Sequence, residues 1–399
     1  MATMAAEASA PVPKEEARSS DAPEQQGEKA EDHLAATAAA GYDRKRELKQ
    51  FDDTKAGVKG LVDAGITAIP RFFHFPASSL TFRPPTTARS SSIPIIDLSI
   101  PRPNAVELVS AAAREWGFFQ VINHGIPLDE ISRVLSAVQA FNELPAETKS
   151  AYYTHDESLS VVFNTNFDLY ESTAASWRDT LRVVTAPTPP DTALIPEVCR
   201  EELLAWDEAA RGLAARLMEL LSEGLGVAAG RLEELSYLEG RVLIAHYYPY
   251  CPQPELTLGL NSHTDPGILT LLLQNDVGGL LMKMGDGEWV EINPVPGAIL
   301  VNIGDALQVT SNDEYKSVEH VVVANPHKTP RISLATFYSP SRIDDSTYYG
   351  PLEELVSKEK PARYRRFTMG EFHTAFYTKK HGSNSAPSAF KVEEPVEST

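Results

Sequence analysis

Cysteine is almost missing from this chain. Only Cys199 and Cys251 occur in 399 residues, far apart and without the paired spacing of a zinc site or a disulfide framework. That scarcity fits a reducing compartment, and the cytosol is the expected location. Long apolar runs are missing as well. The longest, such as Ile268 to Leu273, are far too short to span a bilayer, and no apolar stretch with a cleavage-like site follows Met1. The closing residues Glu397-Ser398-Thr399 match no retention or peroxisomal signal. Positive charge is in deficit, with 36 Lys and Arg against 55 Asp and Glu and a net charge of -19. Such a balance repels phosphate backbones and anionic lipid surfaces. The expected partner is therefore a small molecule, with no nucleic acid and no membrane, and no protein partner is inferred. Aromatic residues are absent from residues 1–40, a stretch rich in Ala, Glu, Ser and Pro whose composition cannot offset the entropy lost on ordering. It reads as a disordered acidic tail.

What is present is a chain with 42% hydrophobic content, enough to bury a substantial core. Order is expected to begin near Tyr42, where Leu48, Phe51, Val58 and Leu61 recur at roughly helical spacing up to Gly65. A loop rich in Ser, Thr and Pro (residues 78–92) leads into Ile93 to Leu98, which reads as a buried strand. A helix from Ala105 to Trp116 precedes a strand, Phe118 to Ile122, stopped by Asn123-His124-Gly125. Helical periodicity over Leu128 to Phe141 and Glu201 to Leu225 makes the N-terminal half mainly helical. From Val242 the texture changes to short segments between turn residues: Leu269–Leu273, Trp289–Ile292, Ala298–Asn302, Val318–Val323 and Ile332–Tyr338. Many short strands at even spacing indicate a sandwich or barrel. Gly285-Asp286-Gly287 supplies one of the turns, Arg363 to Tyr377 reads as helical, and the residues from Gly382 read as a polar tail.

The chemistry centres on Asn261-Ser262-His263-Thr264-Asp265. On a strand, alternate side chains share a face, so one imidazole and one carboxylate would reach a common point. Two histidines and one carboxylate on one face of an octahedron hold iron(II) in oxygenases. His320, on a later strand-like segment, can supply the second imidazole. Arg331-Ile332-Ser333 places a guanidinium and a hydroxyl on one face of an otherwise apolar run. Inward polar groups need partners, and a guanidinium fork matches a carboxylate. His246 and Tyr248 form a third alternating pair. A zinc hydrolase using the same two histidines and carboxylate, or a binding protein without turnover, stays open at this point, although the hydrolase gives Arg331 and Ser333 no role.

Together these residues resemble the plant 2-oxoglutarate and Fe(II)-dependent dioxygenase superfamily from about Ile93 to Tyr377. His263-x-Asp265, His320 and Arg331-x-Ser333 are similar to its catalytic core, and Phe118 to Gly125 to its N-terminal region. The leader Asp43 to Pro70, with Gly57-Val58-Lys59-Gly60-Leu61-Val62-Asp63, and Trp177-Arg178-Asp179-Thr180-Leu181 resemble the branch of 1-aminocyclopropane-1-carboxylate oxidase homologues, deacetoxyvindoline 4-hydroxylase and benzoxazinoid-glucoside dioxygenases. The resemblance implies a mainly β fold with flanking α-helices around a double-stranded β-helix, or jelly-roll, core. It divides the chain into the tail (1–40), an N-terminal helical dioxygenase region (41–235), the jelly-roll core (236–345), a C-terminal helical segment (346–381) and a polar tail (382–399). It implies Fe(II) on His263, Asp265 and His320, 2-oxoglutarate on Tyr248, Arg331 and Ser333, and oxygen as the oxidant, with no catalytic residue beyond the metal centre. Phe337 matches a position lining the substrate pocket. His246 stands where the family usually has Asn, and is expected to reshape substrate binding. The implied substrate is a plant specialised metabolite such as a benzoxazinoid glucoside, or an alkaloid or phenolic that is hydroxylated, desaturated or O-demethylated. His124 reads as a strand terminator, and His155, His327 and His373 show no partner spacing.

Overall fold

The computed structural model describes residues 42–80, 93–285, 287–340, 346–378 and 386–392. The expected acidic tail lies outside the described residues, as do most of the 78–92 loop, the middle of the 285–287 turn and most of the polar tail. The chain divides into two units, residues 1–46 and 47–399. Of the first, residues 42–46 are described, and Arg44 to Arg46 open helix α1 (Arg44–Asp53).

Where the spacing predicts one leader helix, the structure has two, α1 and α2 (Gly57–Asp63). Lys55 and Gly57 break the run by adopting φ of 52° and 69°, a region open to glycine at little cost. A side chain at Gly57 is also excluded sterically, since a Cβ there would sit 2.4 Å from Asp179 Oδ1. The Asp179 carboxylate accepts the Val58 and Lys59 amides at 2.8 and 2.9 Å. It thereby satisfies two of the donors that a helix start leaves without partners.

Twelve strands form two facing sheets. They are β1 (Ile95–Asp97), β2 (Phe118–Ile122), β3 (Val161–Asn164), β4 (Asp179–Ala186), β5 (Gly240–Tyr248), β6 (Leu258–His263), β7 (Leu269–Gln274), β8 (Leu280–Lys283), β9 (Trp289–Glu291), β10 (Ile299–Ile303), β11 (His320–Val323) and β12 (Arg331–Ser339). The large sheet runs β1-β2-β10-β7-β12-β5-β4-β3 and the small one β6-β11-β8-β9. Four strands of the large sheet, β1 to β4, come from before residue 236, so the expected boundary at 235/236 falls inside a single sheet. The strands β3 and β4 have no counterpart in the sequence reading: Thr180, Arg182 and Thr185 interrupt the apolar pattern of β4, and β3 is only four residues long.

Period-two alternation sorts the large sheet's residues. Ala245, Tyr247, Leu271, Leu273, Ile332 and Leu334 face outward into the main core, where α4 (Leu128–Asn142) and α6 (Glu197–Gly224) bury Phe141, Leu213, Leu217 and Leu221 against them. Each such side chain contributes about 1.5–3 kcal/mol of burial. In chain order, α3 (Arg102–Glu115) precedes α4, and α5 (Ala146–Lys149) lies between α4 and α6. Tyr248, Leu272, Leu300 and Phe118 face the small sheet and pack with Leu280, Met282 and Val322. The interior between the sheets therefore mixes apolar and polar groups. The short helix α7 (Asp305–Thr310) follows β10. The helix expected over 363–377 begins only at Met369 (α8, Met369–Thr378), because Phe367–Thr368 instead pairs with Tyr348–Tyr349 as an antiparallel bridge of strands.

Candidate active site

His263 closes β6 and His320 opens β11, and the two are register partners across the small sheet. Their ring centroids are 4.3 Å apart. Asp265 does not continue the strand, as the alternation argument expects; β6 ends at His263 and Asp265 lies in the turn beyond. Its carbonyl accepts the Asp305 amide at 2.7 Å, and Thr264 donates to the Asp305 carboxylate at 2.9 Å. These bonds hold the turn against the start of α7, and Gly304 permits the approach, since a Cβ there would lie 2.1 Å from the Gly267 carbonyl oxygen. Burial pushes the Asp305 carboxyl up to about 7, and the neighbouring Asp265 charge adds to the push.

The Asp265 carboxylate has two distinct edges. Oδ2 accepts from Thr270 Oγ1 at 2.6 Å and from Asn302 Nδ2 at 2.7 Å, both on the large sheet. Oδ1 is left facing His263 Nε2 at 3.5 Å and His320 Nε2 at 3.7 Å. Each histidine has Nδ1 against a carbonyl oxygen, Asn261 at 2.8 Å and Val318 at 3.1 Å. A carbonyl only accepts, so Nδ1 carries the hydrogen and each neutral ring presents its Nε2 lone pair to Asp265 Oδ1. Burial and the adjacent His320 ring lower His263 to about 4. Burial alone would raise Asp265, but the two neighbouring histidines together with the hydrogen bonds from Thr270 and Asn302 outweigh it and hold the carboxyl below its ordinary value. One ligand atom from each residue lies within 4.8 Å of the others. Two imidazole nitrogens and one carboxylate oxygen converging on one point suit a divalent iron ion.

A cleft of about 430 Å³, counted out to solvent, extends from this triad between the sheets. At its other end, Arg331 is 1% exposed. It donates to Ser333 Oγ at 3.3 Å and to Gln274 Oε1 at 2.8 Å, its Nε has no partner, and its Cζ lies 5.0 Å from the Tyr248 ring centroid. Among the described residues no carboxylate pairs with it, and burial lowers its pKa. A buried cation without an anion costs several kcal/mol, so this end of the cleft is built to receive a carboxylate. His246 and Phe337 line the cleft between the two ends, and all eight residues singled out from the sequence reach its wall.

Sequence reasoning missed Thr270, Asn302 and Gln274, each a polar residue on the inward face of an apolar strand, the same signal that pointed to Arg331 and Ser333. It also missed Asp305, whose carboxylate braces the turn. His155, which shows no partner spacing in the sequence, binds Asp52 through Nε2 at 2.8 Å across more than a hundred residues, beside Tyr153 and Tyr170 hydroxyls on the same carboxylate. His124 lies two residues beyond the end of β2, with Nε2 2.9 Å from the Gly297 carbonyl oxygen.

Residues 239–340 match the 2OG-Fe(II) oxygenase superfamily, and residues 93–201 match the N-terminal region described as that of a non-haem dioxygenase in morphine synthesis. The Arabidopsis thaliana 1-aminocyclopropane-1-carboxylate oxidase homolog 1 is 45% identical over 86% of this chain and 94% of its own length. Homolog 6 from the same plant is 43% identical over 88% of this chain and 99% of its own. Among solved structures, JOX2 in complex with 2OG, Fe and JA superposes with a TM-score of 0.74 at 31% identity, covering 84% of this chain and 98% of that one. The rice dioxygenase for auxin oxidation gives a TM-score of 0.63 at 25% identity over 75% of this chain and all (100%) of that one.

Proposed function

Because this chain belongs to the 2OG-Fe(II) oxygenase superfamily and is a 2-oxoglutarate-dependent dioxygenase, we propose that it oxidises an aromatic or heterocyclic plant specialised metabolite, with iron on His263, Asp265 and His320. A benzoxazinoid glucoside is the preferred substrate, hydroxylation the preferred outcome, and an alkaloid or phenolic the alternative. The observation that carries the site assignment is the pairing, in one cleft, of a converging two-histidine, one-carboxylate set with a buried guanidinium that has no carboxylate of its own. A zinc hydrolase would leave that guanidinium unused.

The bound iron supplies oxygen activation coupled to oxidative decarboxylation of 2-oxoglutarate to succinate and carbon dioxide. The chain's own residues do the rest. Thr270 and Asn302 fix which carboxylate oxygen of Asp265 turns toward the histidines, and the Asn261 and Val318 carbonyls fix both ring tautomers. Arg331 and Ser333 hold the far carboxylate of the co-substrate, with Tyr248 beside them. Leu260, Leu272 and Val322 give the cleft an apolar wall. Phe337 offers a face on which an aromatic ring stacks, and His246 shapes the adjoining wall; these support the aromatic reading.

The test is an anaerobic titration of the protein with Fe(II) and 2-oxoglutarate, following the visible charge-transfer band of the chelate. The band is expected in the unsubstituted protein and lost in His263→Ala and Arg331→Ala. Folded protein that gives no band overturns the site assignment. Substrate is then read from succinate formation with a benzoxazinoid glucoside against alkaloid and phenolic acceptors.

A further inference from the structure

The inner face of the large sheet continues past the cleft and bears on the substrate, given the oxygenase reading proposed above. Burial alternates where β4 meets β5. Leu181, Val183 and Leu243 are 1% exposed in the main core, whereas Arg182, Val184, Val242 and Ile244, on the opposite face, are only half-buried. The strand β5 is flanked by β4 on one side and β12 on the other. Access to Val242 and Ile244 therefore does not come through a sheet edge, and the face above them is open. Ile244 stands between Ala335 and Arg182, and Val242 between Phe337 and Val184. Ala335 and Phe337 line the cleft. The apolar shelf is thus the floor of the cleft carried two strand spacings, about 10 Å, beyond β12.

Arg182 ends the shelf. Its Nη2 donates to the carbonyl oxygens of Glu157 and Leu159, each at 3.0 Å, and lies 3.2 Å from the Glu157 carboxylate, which is 49% exposed. Its Nε is buried without a partner, and Nη1 makes no hydrogen bond among the described residues. The exposed Tyr377, at the end of α8, lies in the field of both charges. Donors and acceptors meet at this rim with their charges cancelled. A carboxylate there is opposed by Glu157 and an ammonium by Arg182. A neutral group with several hydroxyls accepts from the guanidinium and donates to the carboxylate. A flat ring at Phe337 bearing such a group at the far end of the shelf has the outline of an aromatic glycoside.

We propose that Arg182 and Glu157 form a glycosyl subsite at the end of the β4–β5 shelf, so that the substrate is selected by its sugar while its aglycone lies at Phe337. Val242 and Ile244 are the apolar spacer between the two.

The experiment titrates the protein loaded with Fe(II) and 2-oxoglutarate, without oxygen, by calorimetry with two pairs: a benzoxazinoid glucoside and its aglycone, and arbutin and hydroquinone. In the unsubstituted protein at least one glucoside binds roughly 10- to 100-fold tighter than its aglycone, the worth of hydrogen bonds to charged groups. Arg182→Met, which keeps an unbranched apolar stem, abolishes that preference, and Glu157→Gln reduces it by roughly three- to tenfold. Aglycone binding stays within about twofold in both. Ile244→Trp fills the shelf and weakens glucoside binding at an unchanged unfolding temperature. Equal weakening of glucoside and aglycone in Arg182→Met and Glu157→Gln makes the pair a brace of the 157–159 turn and overturns the subsite, as does the lack of any glucoside preference in the unsubstituted protein. Tighter binding of the matching glucuronide overturns the assignment to a neutral group. A lower unfolding temperature for Ile244→Trp with glucoside binding intact shows that a segment of the chain covers the shelf, and also overturns it. Because Arg182 holds the 157–159 turn, Glu157→Gln decides the case if Arg182→Met does not fold. A preference for arbutin without benzoxazinoid binding supports the subsite and removes only the benzoxazinoid reading. Absence of the charge-transfer band is a separate result against the site assignment above, and the glucoside preference is then read on the protein alone.

Discussion

The β5–β12 ladder carries an arginine opposite a tyrosine at each end: Arg241 opposite Tyr338 and Arg331 opposite Tyr248. Arg241 points to the outer face and is gripped by Asp207, Nε to Oδ1 at 3.1 Å and Nη2 to Oδ2 at 2.9 Å, with Thr185 also donating to the carboxylate. Arg331 points inward and meets only a hydroxyl, an amide oxygen and a ring face. The same residue in the same ladder is thus compensated on one face and uncompensated on the other. A fold tolerates a buried, unpaired cation at a cost of several kcal/mol where a ligand supplies the missing charge. Arg241 is architecture, and Arg331 is a binding group.

The largest expected effect that separates the two is on Arg331. Arg331→Gln should weaken 2-oxoglutarate binding by roughly 10²–10⁴-fold, the loss of two charge-assisted hydrogen bonds, while apoprotein stability by urea unfolding is unchanged or higher. A clear loss of apoprotein stability would make Arg331 structural and erase the contrast. Next in size is Asp207→Ala, which leaves Arg241 without its carboxylate. Stability should fall by about 2–3 kcal/mol, the low side of the range for breaking a buried pair because the pair is partly hydrated, and 2-oxoglutarate affinity should stay as it was. If affinity fell instead, the two faces of the sheet would not be independent.

The smallest effect extends the contrast to a satisfied cluster away from the cleft. Burial raises Asp52, but hydrogen bonds from His155, Tyr153 and Tyr170 outweigh it and hold its carboxyl at about 2. The same bond to Asp52 raises His155. Asp52 therefore contributes stability above the ordinary carboxylate value of about 3.9, lost as pH falls toward 2. His155 contributes below about 6.5, and that part is lost as pH rises through its elevated folded value. His155→Gln should lower stability at pH 5 by on the order of 0.5–1 kcal/mol and by less at pH 8. Equal losses at both pH values would show that the charge on His155 is not what matters.

Much of the site was legible because its residues break a pattern. His263 and His320 on the small sheet, and Arg331, Ser333, Tyr248 and His246 on the large sheet, are polar groups at inward positions of strands, and alternation pairs His246 with Tyr248 and Arg331 with Ser333. Thr270 in Leu269–Gln274 and Asn302 in Ile299–Ile303 break the pattern in the same way, and went unread because a threonine or asparagine suggests no chemistry until the carboxylate it serves is located. Asp265 does approach both histidines, but its position comes from the contact of its turn with the start of α7 and not from strand alternation. Tertiary pairing explains the remaining gaps. The bond between Asp52 and His155 spans 103 residues, and no spacing along the chain announces it. The strand β4 carries too many polar residues to show a clean period and is a strand because β5 offers it an edge, and the four-residue β3 in turn pairs with β4.

The tripeptide Trp177-Arg178-Asp179 is read by three different neighbours. Trp177 packs edge-on to Phe73 of the leader and donates to the Tyr250 carbonyl, Arg178 crosses to the Gly259 carbonyl of the small sheet, and Asp179 caps α2. Thr180 then lies beside His246 on the neighbouring strand, its hydroxyl 3.0 Å from that ring's Nδ1. A side chain at Gly57 would collide with Asp179, whose chain neighbour Thr180 touches His246, so the leader and the cleft wall are mechanically joined through two adjacent residues.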